Sequence, residues 1–426
     1  MVPVRPDPAS TVLERLRALP AGARLLAALE APTPAARPEG RRAPRVEGRL
    51  GGAFLVGGAV RDLLSGVEPH ELDLVVEGDA HAIADELRRR LGGKGRTHQA
   101  FGTATIDTLD GLRVDVAQAR TERYARPGAL PDVVPARIED DLARRDFTLN
   151  AIAVGISADV AGALRAVPHA LEDLDAGVLR VLHPASFVDD PTRLLRLIRY
   201  AVRLSYTLDP ETERLAREAF AGGAPRTAGV ARIGRELLLL LREPDAVAAL
   251  VLLRTLGGAD ELEIDEPVLR RVLALLPEDA DRAAALLAAL TWRLERSHRR
   301  GWLAGIHVRG GADGIDAAAR DPEGVAAAMR GAGSASALRA ALAGVPVEGV
   351  VLAAALDPRA EDAARRWLDE VRHVRLAIGG ADLLDRGVPR GPEIGRRLGI
   401  ALAAKLDGRA ETREEELAAA LADQGR

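Results

Sequence analysis

Residues 54–76 constrain this chain more than any other stretch. A short apolar run, Phe54-Leu55-Val56, meets Gly57-Gly58, continues as Ala59-Val60-Arg61-Asp62, and after a spacer reaches Glu71-Leu72-Asp73 inside a second apolar run ending at Val76. The pattern predicts a strand over 54–56, a diglycine turn opening a helix at Val60, and a second strand over 72–76. Adjacent glycines let the backbone come close to a ligand, and the first turn of a helix offers N–H groups that lack intrahelical partners. Gly57 and Gly58 are therefore a candidate phosphate site. Residues two apart on a strand share a face, so Glu71 and Asp73 present paired carboxylates beside it. Hard oxygens next to phosphates suggest Mg2+. A diglycine turn alone is ordinary punctuation; turn, arginine and spaced acids in this order are far more specific.

Length and composition set the outer limits. At 426 residues the chain is too long for one ordinary core, and two to four domains are expected. Aromatics are only 3% of residues while Ala, Leu, Arg and Gly dominate, which fits a largely helical protein with small interhelical side chains. Lysine occurs only at Lys94 and Lys405, so a single arginine is weak evidence for any role. The absence of cysteine excludes disulfides and thiol catalysis. Residues 1–10 carry prolines in place of an apolar signal core, and no run approaches transmembrane length, which predicts a soluble, cytoplasmic protein with no membrane partner. A net charge of −4 argues against indiscriminate nucleic-acid binding and leaves room for a local basic cleft.

Four regions follow along the chain. Residues 11–29 have amphipathic spacing for one peripheral helix, and residues 31–48 read as a Pro/Ala/Arg-rich linker. From Gly51 to about Val154, β-type runs over 72–76, 104–106, 112–116 and 150–154 alternate with helical stretches such as 80–90, which describes an α/β head. After about Leu179 the strands stop and helical spacing continues to the end, with loops and short helices expected over 309–334.

Two further constellations carry chemistry. In Leu112-Arg113-Val114-Asp115-Val116, Asp115 stands in an apolar strand and is a candidate third carboxylate for the same metal site; the alternative is a strand-end aspartate bonded to backbone. Arg144, Arg145 and Asp146 precede another strand, and arginine forks suit phosphates while an aspartate accepts ribose hydroxyl protons; the alternative is a surface ion pair. Asp189-Asp190-Pro191-Thr192 is a helix start. Arg193, Arg196 and Arg199 then recur every third residue along one face. An aspartate beside an arginine is a directional template for a base edge: the carboxylate accepts from an exocyclic amine while the guanidinium donates to a ring nitrogen. Asp190 with Arg193 would then take CTP and ATP and reject UTP and GTP.

Taken together, Leu55 to Leu64, Leu72 to Val76, Arg144 to Ala151 and Asp189 to Arg193 resemble the class II tRNA nucleotidyltransferase and bacterial poly(A) polymerase family, and 380–395 carries a weaker echo of its tail segment. The resemblance implies an α+β chain: a polymerase-beta-like nucleotidyltransferase head, a mixed β-sheet with helices, followed by an all-α neck, body and tail. The corresponding partition is an N-terminal extension over 1–50, head 51–180, neck 181–256, body 257–357 and tail 358–426. It further implies that Gly57, Gly58 and Arg61 meet the triphosphate and that Glu71, Asp73 and Asp115 hold Mg2+. Arg144, Arg145 and Asp146 would contact nucleotide phosphate and sugar. Asp190 and Arg193 would read the base, braced by Asp189, and Arg196 and Arg199 would reach phosphates or neighbouring RNA. Residues 119–131 resemble the family's mobile loop. The implied activity is template-independent addition of C, A or both to the 3' end of tRNA from CTP and ATP, by two-metal nucleotidyl transfer. The alternatives are poly(A) synthesis, or a degenerate head on a tRNA-binding protein. Glu71 stands where the family usually has aspartate, and Asp189 where it often has glutamate.

Overall fold

The computed structural model describes residues 7–30, 52–98, 102–109, 111–259, 261–306 and 311–422. The linker expected over 31–48 lies outside them. The chain folds as two compact units, Met1–Gly229 and Val230–Arg426. The boundary between them falls inside 181–256, the stretch expected to form a single neck.

The N-terminal stretch forms two helices in place of the expected one: α1 (Pro8–Ala18) and α2 (Pro20–Glu30). Proline disfavours helical geometry in the residue before it, and Leu19 is extended (ψ 129°). The two helices turn back on each other where Gly22 meets Leu16, at a spot where a Cβ would collide with the Leu16 carbonyl. The expectation that this extension is peripheral is corrected. Val12, Leu16 and Leu25 are fully buried. The pair packs on the two helices that flank the diglycine turn and the second strand, α3 (Gly58–Leu64) and α4 (Ala80–Leu91). Arg15 donates to the carbonyls of Leu63 and Leu64, and Arg24 to that of Leu91 (3.0 Å), so two arginines cap the ends of two head helices. Leu16→Ala is expected to destabilise the protein by about 3 kcal/mol, read as a lower urea midpoint at unchanged m-value.

The head is built on a seven-stranded sheet. Its strands are β1 (Ala53–Val56), β2 (Leu72–Val76), β3 (Lys94–His98), β4 (Thr103–Asp107) and β5 (Arg113–Gln118), followed later in the chain by Ile152–Gly155 and Leu164–Ala166. From one edge the order is β3-β4-β5-β2-β1 and then the two late strands, with β2 and β5 parallel and the other neighbours antiparallel. Of the four runs expected as strands, 72–76 is present with the expected bounds and the other three with bounds differing by a residue or two. The polar Lys94–His98 and the short Leu164–Ala166 lack the apolar spacing that would have announced them. Between β5 and the late strands, the segment resembling a mobile loop carries β6 (Arg120–Arg123) and leads into β7 (Asp132–Pro135), with which β6 pairs as a hairpin. Helix α5 (Ile138–Ala143) follows and packs Ile138 and Leu142 against Phe54, Val56 and Val75.

Strand pairing does not stop at Leu179 as expected. Val178–Leu179 and Thr207–Leu208 form a small parallel pair on either side of two helices, Ser186–Asp189 and Thr192–Leu204. Pro191 precedes the longer helix, and Ser205 ends it in the left-handed region (φ 56°). The second unit is helical throughout its described residues, from Val230–Leu240 to Arg413–Leu421. At its centre, helix Val347–Leu356 buries an unbroken apolar run, Val350 to Ala355. The stretch expected as loops and short helices contains Ala312–Ala318 and Pro322–Gly331; 307–310 lie outside the described residues. Among the described residues no helix is long and apolar enough to cross a membrane.

Candidate active site

The site is a cleft of about 530 Å3 in the first unit, floored by β1, β2, β4 and β5 and closed by residues 144–150 and the 192–204 helix. Gly57 is part of its lining. It has φ 66°, its N–H donates to the Ile152 carbonyl (3.2 Å), and a Cβ there would stand 3.0 Å from Arg145 Nη1. Only glycine accepts both that backbone angle and that neighbour. Gly58 starts α3 and also lines the cleft, so the turn presents helix N-terminal N–H groups to it.

The structure puts two of the three expected carboxylates on the cleft wall, with the third close enough to act on them. Asp73 on β2 and Asp115 on β5 are direct partners in the parallel register, and both line the cleft. Asp115 accepts from Thr105 Oγ1 on β4 and from Arg113 Nε (3.2 Å). Glu71 is not on the cleft wall. β2 begins only at Leu72, so Glu71 sits in the preceding bend, half-exposed, with its carboxylate 3.8 Å from Arg113. Among the described residues no group of three or more His, Cys, Asp or Glu side chains converges in a metal-holding arrangement. Burial pushes the Asp73 carboxyl up to about 6, reinforced by the negative charges of Glu71 and Asp115 against the opposing Arg145 and Arg113. Two hard carboxylates in a pocket that is too negative for its own aspartate form a donor set that fits a divalent cation.

Arg144 and Arg145 both line the cleft. Each is gripped from behind by Asp141, which is completely buried. Burial alone would raise the Asp141 carboxyl, but the two guanidiniums hold it below its ordinary value. Arg144 also donates to Glu122 Oε1 (2.8 Å) and the Arg120 carbonyl (3.1 Å), which fastens the β6–β7 hairpin to the site. Tyr124 joins the same carboxylate through Glu122 Oε2 (2.9 Å). Asp146 is saturated by protein donors: Arg196 Nε (2.9 Å) and Nη2 (2.6 Å) on one oxygen, Asn150 Nδ2 (3.1 Å) and the Phe147 N–H (2.9 Å) on the other. Burial opposes its charge, yet Arg196 and Asn150 hold it below the usual carboxylate range. It therefore orients Arg196, a job the sequence did not suggest.

Arg61 is not among the residues that line the cleft. It lies beneath the cleft, buried, with Nη1 on Asn150 Oδ1 (3.0 Å) and Nε and Nη2 on Asp62 Oδ1 (2.9 and 2.7 Å). The Tyr200 ring, in the cleft wall, lies 5.6 Å from the Arg61 guanidinium and 5.3 Å from that of Arg196. Asp190, Arg193 and Arg196 face the cleft, whereas Arg199 is off its wall. Arg193 is buried and donates to Ser186 Oγ (2.8 Å) and the Arg144 carbonyl (2.6 Å). Asp190 accepts from the Thr192 N–H (3.0 Å) and hydroxyl (2.6 Å). Asp189 lies behind, with His183 and Arg193 around a smaller cavity.

Asp141, Glu122, Tyr124, Asn150, Thr105 and Tyr200 had no role assigned from sequence. Helical spacing offered a signal for Asp141, three and four residues before the arginines it holds. Strand spacing offered one for Glu122 and Tyr124, two apart. No local signal points to Tyr200 or Thr105.

Residues 53–180, which carry the mixed sheet, the glycine turn, the paired carboxylates and the facing arginines, match the family model described as the poly(A) polymerase head domain. The A-adding tRNA nucleotidyltransferase of Geobacter sulfurreducens is 35% identical over 85% of this chain and 44% of its own length. The enzyme of the same name from Halalkalibacterium halodurans is 45% identical over 46% of this chain and 46% of its own. Among solved structures, the Thermotoga maritima CCA-adding enzyme complexed with tRNA aligns with a TM-score of 0.74 at 28% identity, covering 88% of this chain and 92% of that one. The chain is thus similar to tRNA nucleotidyltransferases over most of its length, and its residues 53–180 to the poly(A) polymerase head domain. It spans less than half the length of the curated relatives named here.

Proposed function

We propose that this protein is a cytoplasmic, template-independent RNA nucleotidyltransferase that adds C, A or both to the 3' end of tRNA, using CTP and ATP and releasing pyrophosphate. The observation that carries the reading is the Asp73–Asp115 pair beside the Gly57 turn, facing Arg145 and the Asp190–Arg193–Arg196 face across one cleft. Both curated relatives named above are A-adding enzymes, which supports addition of the terminal A as the finer reading. The match to a poly(A) polymerase head supports poly(A) synthesis as the second reading.

Enzymes of this family use divalent metal, and Mg2+ is the ion we infer, held by Asp73 and Asp115 with Glu71 at the margin. When bound, it would supply Lewis acidity at the reacting phosphate and ease ionisation of the attacking hydroxyl. The Gly58 N–H at the start of α3 and the Arg145 guanidinium would bind the triphosphate and set the α-phosphate for in-line attack. Asp190 and Arg193 would orient the base by its pairing edge. We assign RNA selection to the helical neck, body and tail (181–256, 257–357 and 358–426), through phosphate contacts that make binding salt-sensitive.

The test is to incubate purified protein with tRNA ending before the first C, tRNA ending after the second C, and complete tRNA, each with one nucleotide at a time. Incorporation of C, A or both, and none of U or G, is the expected result. Equal use of all four nucleotides would overturn the base template, and repeated A addition to complete tRNA would favour poly(A) synthesis.

A further inference from the structure

Asp141 is fully buried and touches both Arg144 and Arg145, and it does not itself line the cleft. Its two oxygens are divided between them. Oδ1 accepts from Arg144 Nε (3.0 Å) and Nη2 (2.5 Å), and Oδ2 from Arg145 Nε (3.2 Å) and Nη2 (2.9 Å). Each guanidinium is thereby clamped along the same edge, and each keeps Nη1 for a different task. Arg144 Nη1 goes to Glu122 (2.8 Å), and the Arg144 carbonyl accepts from Arg193, so Arg144 is committed to the hairpin and the 192–204 helix. Arg145 Nη1 has only a long contact, 3.4 Å to the Asn150 carbonyl, and stands at the Gly57 turn. The arginine pair is therefore divided in labour: one member braces and the other faces the phosphate site.

We propose that Asp141 is a positioning residue that aims Arg145 at the nucleotide's triphosphate, an inference that rests on the nucleotidyltransferase reading. A guanidinium held by a buried, charge-assisted, two-point contact meets a phosphate without being ordered first, and a freely rotating arginine does not. The fork depends on both oxygens of one carboxylate. Asp141→Asn keeps the size but replaces one acceptor with a donor, so one of the two arginines loses its clamp.

Asp141→Asn is expected to raise the KM for ATP or CTP by about 10- to 100-fold while kcat and the KM for tRNA change by less than about 3-fold. A general loosening of the head would instead move all three. In an Arg145→Ala background the added effect of Asp141→Asn should vanish, and in an Arg144→Ala background it should persist. The reverse pattern overturns the proposal. Asp141→Glu, which keeps the charge and shifts the fork, is expected to give an intermediate KM. Affinity for inorganic tripolyphosphate, measured calorimetrically without RNA, separates this proposal from the functional reading. If the wild-type protein incorporates no nucleotide, that reading fails. If tripolyphosphate binds equally to wild type and Asp141→Asn, or to neither, the positioning role fails. Should neither variant fold, exchange of the Arg145 Nε proton in the wild-type protein decides: slow exchange supports the clamp, and exchange at the rate of free arginine overturns it.

Discussion

Asp73→Asn is expected to abolish nucleotidyl transfer and, in the absence of metal, to make the protein more stable above pH 6. The two effects have one cause. Asp73 is largely buried beside Asp115 and Glu71, and its carboxyl is pushed up from 3.8 to about 6. Below about pH 4 it is protonated in folded and unfolded chains alike and contributes nothing to pH dependence. Between about pH 4 and 6 the unfolded chain ionises first, so the folded state binds more protons and stability falls as pH rises. Above pH 6 the cost is complete, about 3 kcal/mol for a shift of this size. Asparagine removes that cost along with the charge. Melting in EDTA should therefore show the variant more stable than wild type at pH 8 and equal to it at pH 3.5. Transfer should fall by about 1,000-fold or more, because the interaction lost is worth several kcal/mol in the transition state. tRNA binding should stay within about 2-fold, since no phosphate contact of the RNA is assigned to this side chain. Turnover that survives the substitution would place the metal site elsewhere.

Arg193→Ala carries the second large effect. The guanidinium faces the cleft with Asp190 and also holds Ser186 and the Arg144 carbonyl. Its removal deletes the donor that would meet a ring nitrogen and leaves one buried and one part-buried acceptor without it. Incorporation of A or C is expected to drop about 100-fold or more, and preference over U and G to fall by at least about 10-fold. Arg193→Lys should recover part of the stability and little of the selectivity, because one ammonium cannot reproduce a planar fork. Single-nucleotide incorporation assays, paired with thermal melts, distinguish the two contributions. Undiminished preference in a folded Arg193→Ala protein would remove this residue from base reading.

Stability and activity oppose each other at Asp73, and the surroundings compensate. Asp141 and Asp146 bury charge without such a cost because two and one arginines, respectively, saturate them. The cleft thus keeps its uncompensated negative charge at one place, where a cation fits, and neutralises its other buried acids with fixed guanidiniums.

Much of this site follows from local periodicity. The glycine turn, the strand carrying Asp73, the strand carrying Asp115 and the arginine face of the 192–204 helix each depend on residues within a few positions of one another, and period-2 or period-3.6 spacing reveals them. The same rule set Glu71 beside Asp73, and although β2 begins only at Leu72, Glu71 is the strongest charged neighbour of Asp73. Pairing across the chain was hidden. That Asp73 lies opposite Asp115, that Arg61 turns inward to Asn150, that Arg193 holds the Arg144 carbonyl and that two N-terminal helices seal α3 and α4 all depend on how separated segments pack. Spacing along a chain tells which side chains share a face. Which face meets which, and which charge is left without a partner, is settled only when burial forces every polar group to find one.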